Sequence, residues 1–221
     1  MEFELSLLVG LTGGMGTGKT LAASFFKELG AFVLDADLIC RKLVEPEQPA
    51  CREISENFGK EVFTASGNLD RKRLANIIFK NPQKKGILEG ILHPKIFEIE
   101  ELKYEAIRKE HPNAVVIVDA ALLIESGNYK KMDKVIVVNS DEKNRIDRII
   151  ARTQMSQDEV ITRIKNQMPS EEKVRYADFI LENSLDKDNL RSKVKDIHAR
   201  LSLLAEEKHW KTNNLIFSSA R

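Results

Sequence analysis

Cysteine is nearly missing from this chain: only Cys40 and Cys51 occur in 221 residues. They have neither the spacing of a metal-ligand set nor the pattern of a disulfide framework, which suits a reducing cytosol. An excess of charge of one sign is missing too. Lys plus Arg is 35 and Asp plus Glu is 34, a net charge of +1, so there is no electrostatic case for a nucleic-acid or membrane partner. No apolar stretch approaches the roughly 20 residues needed to cross a bilayer. The segment from Leu5 to Leu11 could pass for a signal-peptide core, but Glu2 and Glu4 stand where a positive region belongs. That run ends in glycines rather than a cleavage site. Internal repeats and low-complexity tracts are absent as well. These absences predict a soluble, cytoplasmic protein with no obligate protein partner.

What is present is ample core material. Hydrophobic residues make up 42% and charged residues 31%, and the length fits one substantial α/β domain with an insertion or two. Five short apolar runs read as buried parallel strands: Leu7–Thr12, Ala31–Asp35, Val115–Asp119, Lys134–Val138 and Phe179–Glu182. They are rich in Val, Ile and Leu without strict alternation, as expected where helices cover both sheet faces. Leu21, Ala22, Phe25, Phe26 and Leu29 repeat at helical spacing, and Gly30 follows as a C-terminal cap. The alternation predicts a doubly wound five-stranded parallel sheet.

Two excursions interrupt it. The first, residues 38–109, predicts a helical insertion, with Ala50–Phe58, Arg71–Lys80 and Pro82 to about Lys109 helical and His93-Pro94 interrupting the last. The second, residues 144–176, predicts a helical lid in which Ser156-Gln157-Asp158-Glu159 is a capping box. The core is then residues 1–37, 110–143 and 177–221. From Leu190 to Leu204 the tail reads as an amphipathic helix, with the final dozen residues frayed.

Gly13-Gly14-Met15-Gly16-Thr17-Gly18-Lys19-Thr20 fits G-x-x-x-x-G-K-[ST] at every fixed position. It follows a predicted strand and opens a predicted helix, the context that separates a phosphate loop from a chance glycine turn. Glycines allow successive amides, here including those of Gly13, Gly14, Gly16, Thr17 and Gly18, to converge on phosphate oxygens. Lys19 is the residue for the β- and γ-phosphates, and the Thr20 hydroxyl is a Mg²⁺ ligand. The Leu21 amide sits at the positive end of a helix dipole and can reach the α-phosphate. ATP and Mg²⁺ are the expected co-substrate and metal.

A phosphate loop alone does not separate a kinase from a switch. A guanine-reading switch carries N-K-x-D, and no Asn-Lys dipeptide occurs in this chain. After the second strand comes Asp35-Ala36-Asp37. Carboxylates at a strand end can take an acceptor hydroxyl's proton or organise Mg²⁺. They can equally serve as a helix cap and a solvated first-turn acid, and spacing does not choose between these.

Here the chain resembles the dephospho-coenzyme A kinase family, over about residues 8 to 195. The shared pattern includes Val9-Gly10-Leu11-Thr12 with the phosphate loop, Leu34-Asp35-Ala36-Asp37, Gly67-Asn68-Leu69-Asp70-Arg71 and His93-Pro94-Lys95-Ile96. It continues through Leu122-Leu123-Ile124-Glu125 and Ala177-Asp178 with Asn183. The resemblance implies transfer of the ATP γ-phosphoryl group to the ribose 3′-hydroxyl of dephospho-coenzyme A, the last step of coenzyme A synthesis. It places Asp37 as the base, Arg148 as the lid arginine on the transferring group and Arg152 as a second basic residue. Asn183 falls on the nucleotide side, and Thr12, Arg71 and His93 on the acceptor side. Several have a plainer alternative: a solvated helix face for Arg148 and Arg152, an ion pair with Asp70 for Arg71, a helix interruption for His93. Asp119 either sits behind Mg²⁺ or simply ends its strand. Ala121, Arg145 and Ser184 depart from the residues common at their positions in that family. Rival readings are another small-molecule kinase of nucleoside or shikimate type, and a switch protein with no acceptor.

Overall fold

The computed structural model describes residues 6–219, with side chains described for residues 6–210; Glu2, Glu4 and Leu5 lie outside them. Five strands form one parallel sheet in the order β2-β3-β1-β4-β5. They are β1 (Leu7–Gly13), β2 (Phe32–Asp35), β3 (Val115–Asp119), β4 (Lys134–Asn139) and β5 (Phe179–Glu182). All five match the sequence expectation to within a residue at each end. The register sets Leu11 opposite Asp119 and Gly13 opposite Val138. The chain leaves β1 toward β2 on one side and later passes from β3 to β4 on the other. Their shared C-terminal ends therefore lie at the switch point where doubly wound sheets bind ligands.

Alternation along the buried strands explains why no period-2 polar pattern is visible. Val115 and Ile117 pack on one face with Leu7, Val9, Leu11, Phe25 and Phe26. Val116 and Val118 pack on the other with Tyr104, Leu123 and Ile124. The first face is covered by α1 (Lys19–Glu28) and α9 (Lys187–Ser219). Phe26 is fully buried there, and burying a side chain of that size contributes about 1.5–3 kcal/mol. Helix α1 ends as expected: Gly30 has φ +97°, and the Ala31 amide donates to the Phe26 carbonyl at 3.1 Å. Helix α9 runs on past Leu204, into the segment expected to fray. Lys208 pins it by donating to both Asp133 carboxylate oxygens, at 2.7 and 2.9 Å.

His198 of α9 faces the Phe26 ring, and burial holds its imidazole below the ordinary 6.5. The unfolded chain thus takes up this proton more readily than the folded one. Its contribution to stability is complete above pH 6.5 and is lost as pH falls through the lower folded value. Urea unfolding across that range should show a smaller acid loss in His198→Leu than in the parent protein.

By internal packing the chain falls into two units, residues 1–34 with 103–221, and residues 35–102. The second contains α2 (Ala36–Leu43), α3 (Pro49–Phe58), α4 (Arg71–Lys80) and the first part of α5 (Pro82–Glu110). Its own core is Val44, Ala50, Cys51, Ile54, Phe58, Val62, Leu74, Leu88 and Ile91. His93-Pro94 does not interrupt α5, contrary to the sequence expectation. A proline ring crowds the carbonyl four residues back, and here that residue is Gly90, which adds no side chain to the crowding. Lys95 also donates from Nζ to the Ile91 carbonyl at 3.3 Å while pairing with Glu53 at 2.8 Å. Buried Ile91 and Ile96 hold the helix on either side of the proline.

In the segment from Asn144 to Tyr176 the structure has three helices: α6 (Glu142–Ile150), α7 (Gln157–Lys165) and α8 (Ser170–Val174). The Ser156–Glu159 capping box is formed in both directions. Among the described residues no helix is long and apolar enough to cross a membrane.

Candidate active site

The loop between β1 and α1 combines short internal bonds with side chains from outside. The Thr17 hydroxyl and amide both donate to the Gly14 carbonyl, at 2.9 and 3.3 Å. Gly18 is the N-cap of α1 with φ +91°, and a Cβ there would lie 2.2 Å from Asn183 Nδ2. Gly16 has φ +81°, and a Cβ would lie 2.7 Å from the Arg145 carbonyl. Only glycine fits either position. Lys19 and Thr20 follow in the first helical turn. Lys19 is largely buried and its ammonium contacts the carboxylate of Asp119 at the end of β3. Thr20 is exposed and Leu21 half-buried.

Thr12 is buried, and its hydroxyl donates to the Ala121 carbonyl at 3.2 Å. That turn is held from the other side by Lys173, only 1% exposed, which donates to the same carbonyl at 2.9 Å and pairs with Glu125 at 2.8 Å. A buried ammonium is tolerated only with partners of this kind.

Arg148 and Asn183, both singled out in the sequence, meet at the loop. Arg148 donates from Nη2 to the Asn183 carbonyl at 2.8 Å and from Nη1 to Ser140 Oγ at 3.2 Å. A longer contact of 3.5 Å reaches the Gly16 carbonyl. Asn183 is buried, and its amide donates to the Thr17 carbonyl at 2.7 Å. Arg152, one turn beyond Arg148, is exposed.

Sequence reasoning missed two further groups here. Arg145 is buried and donates from Nε to the Met15 carbonyl at 3.0 Å and from Nη1 to Ser170 Oγ at 3.0 Å. Burial lowers its pKa, opposed by the charges of Glu142 and Glu171. Gln167 accepts from the Met15 amide at 2.9 Å. Arg145 had stood out only as a departure from the family pattern, and nothing local marked Gln167.

The remaining predicted residues lie in the second unit. Asp35 caps α2 by accepting from the Leu38 amide at 2.9 Å, which is the plainer of its two readings. Asp37 is exposed in the first turn of that helix. Cys40, one turn on, is raised in pKa by burial, lowered by Arg71 and raised by Asp37, so Asp37 and Arg71 both bear on one neighbourhood. His93 stacks on Phe97 at 5.7 Å between ring centroids.

A parallel sheet whose first strand runs through G-x-x-x-x-G-K-T into a helix, with the loop lysine against the carboxylate closing the adjacent strand, defines a P-loop kinase-type fold. Comparison with known proteins narrows this. The family model for dephospho-CoA kinase matches residues 7–189, so the chain belongs to the dephospho-CoA kinase family. It is 39% identical over 195 residues to the dephospho-CoA kinase of Aquifex aeolicus, covering 88% of this chain and 97% of that one. Among solved structures, TT1252 from Thermus thermophilus aligns with a TM-score of 0.76 at 31% identity, over 89% of this chain and 98% of that chain. The dephospho-CoA kinase from Campylobacter jejuni aligns with a TM-score of 0.59 at 25% identity over the same shares.

Proposed function

We propose that this chain transfers the γ-phosphoryl group of ATP to the ribose 3′-hydroxyl of dephospho-coenzyme A, giving ADP and coenzyme A. The observation that carries the reading is family membership spanning both the phosphate loop and the helical insertion. A nucleoside or shikimate-type kinase would share the phosphate loop and differ in the insertion.

In this reading the amides of Gly13, Gly14, Gly16 and Gly18 cradle the phosphates, aided by the positive end of α1, and those of Thr17 and Leu21 join them by giving up their bonds to the Gly14 and Gly18 carbonyls. Lys19 exchanges part of its contact with Asp119 for the β- and γ-oxygens, and neutralises charge as it moves to the leaving group. Thr20 follows Lys19 in the chain and Asp119 contacts the Lys19 ammonium; their hard oxygens would suit Mg²⁺. Thr20 would hold the ion directly and Asp119 through its waters. When bound, Mg²⁺ adds charge neutralisation across the phosphate oxygens. Asp37 accepts the acceptor's proton, and Arg71 and His93 bind the acceptor. Thr12 serves that side by holding the Ala121 turn.

Residues 144–176 act as the lid over ATP. Arg152 supports the transferring group, whereas Arg148 reaches it only by exchanging one of its present partners. Residues 38–109 bind the acceptor, and residues 1–37, 110–143 and 177–221 form the nucleotide-binding core. Two free cysteines and a balanced charge suit a cytoplasmic enzyme acting on a small molecule alone.

ADP release measured with and without dephospho-coenzyme A tests this. Turnover should depend on that acceptor, and mass spectrometry should find one added phosphate on it. Equal release without acceptor, or stimulation by shikimate or a nucleoside instead, would overturn the reading.

A further inference from the structure

The peptide groups of the phosphate loop are held one by one. In a trans peptide the carbonyl of one residue and the amide of the next point opposite ways. A side chain that fixes a loop carbonyl therefore aims the following amide. The Met15 carbonyl is held by Arg145, so the Gly16 amide is turned away from Arg145. The Thr17 carbonyl is held by Asn183, so the Gly18 amide is turned away from Asn183. The peptide before Met15 is fixed at both ends: Gly14 accepts from Thr17, and Met15 donates to Gln167. A segment with glycine at 14, 16 and 18 has more backbone freedom to lose than one without glycine, and each such bond removes part of that loss before a ligand arrives.

We propose that Arg145 and Gln167 are positioning residues for ATP binding: they grip the two polar backbone groups of Met15 and so orient the Gly16 amide toward the phosphates. Arg145 lies on α6 and Gln167 just before α8, so the grip comes from the segment that flanks the loop rather than from the loop itself. Arg145 is suited to it because its guanidinium is buried against the loop and anchored on Ser170. A planar fork held at two points cannot swing. The inference rests on the ATP-dependent reading of this loop, but not on the identity of the acceptor.

The test measures ATP affinity by calorimetry, without acceptor, for the parent protein and for Arg145→Met, Arg145→Gln and Gln167→Met. Arg145→Met should weaken ATP binding roughly tenfold and Gln167→Met roughly fivefold, the usual loss of one charge-assisted and one neutral hydrogen bond. Arg145→Gln keeps an N–H donor and should recover part of the loss. The KM for dephospho-coenzyme A should stay at the parental value in all three. Exchange of the Met15 amide should quicken in Gln167→Met. A purely structural role would lower melting temperature and leave ATP affinity alone. Parental ATP affinity in either methionine variant, with circular dichroism showing it folded, overturns the proposal; if Arg145→Met does not fold, Gln167→Met decides. A protein that binds ATP as described yet ignores dephospho-coenzyme A would sink the proposed function and leave this inference standing.

Discussion

Replacing Asp37 by asparagine should leave ATP affinity at its parental value and lower transfer to dephospho-coenzyme A by roughly 10²- to 10⁴-fold, the range for losing a positioned general base. The side chain is exposed in the first turn of α2, and Asp35 alone caps that helix. Asn at position 37 therefore removes no structural bond made by Asp35. Helix stability should change little, since a single first-turn charge is worth about 0.3–1 kcal/mol. Single-turnover quench separates the chemical step from product release. Parental transfer rates in the mutant would remove Asp37 from the mechanism.

Lys19→Met should be damaging on two counts, because it acts on binding and on chemistry. Losing one preorganised charge at the transferring group costs roughly 10²- to 10³-fold in the chemical step, and ATP affinity should fall as well. A structural penalty joins it. Asp119 is 5% exposed and paired with Lys19. Removing one partner of a buried pair commonly costs about 3–5 kcal/mol. The two effects are separable, because Lys19→Met with Asp119→Asn should regain much of the lost melting temperature and none of the activity. If the double variant recovered transfer as well as stability, Lys19 would be a structural residue only.

The sheet was legible from sequence for a definite reason. Its central strands are buried on both faces, so Val115–Asp119 and Lys134–Asn139 read as continuous apolar runs. The phosphate loop was legible because its residue types are dictated locally: Gly16 and Gly18 stand at positive φ against neighbours that exclude a side chain. Asp35 and Asp37 could not be told apart in this way. Both are exposed and only Asp35 is a cap, a difference that follows from which carboxylate the Leu38 amide meets.

What was illegible depended on tertiary position. Pro94 looked like a helix break, since proline propensity is local, while the burial of Ile91 and Ile96 that keeps α5 continuous is not. Lys173 sits in a charged stretch, Glu171-Glu172-Lys173, that reads as a solvated face. Only the fold brings it to Glu125 and the Ala121 carbonyl and makes it one of the most buried side chains. Arg145 and Gln167 lie 130 and 152 residues from Met15. No spacing rule links side chains across such distances, and only the fold brings them to the loop.

The most direct measurement is a crystal structure with dephospho-coenzyme A and a non-hydrolysable ATP analogue bound together. The Asp37 carboxylate should lie within about 2.6–3.2 Å of the ribose 3′-hydroxyl, with that oxygen in line with the γ-phosphorus. An acceptor bound with its 3′-hydroxyl turned from Asp37, or a carboxylate pointing away from the nucleotide, would contradict it.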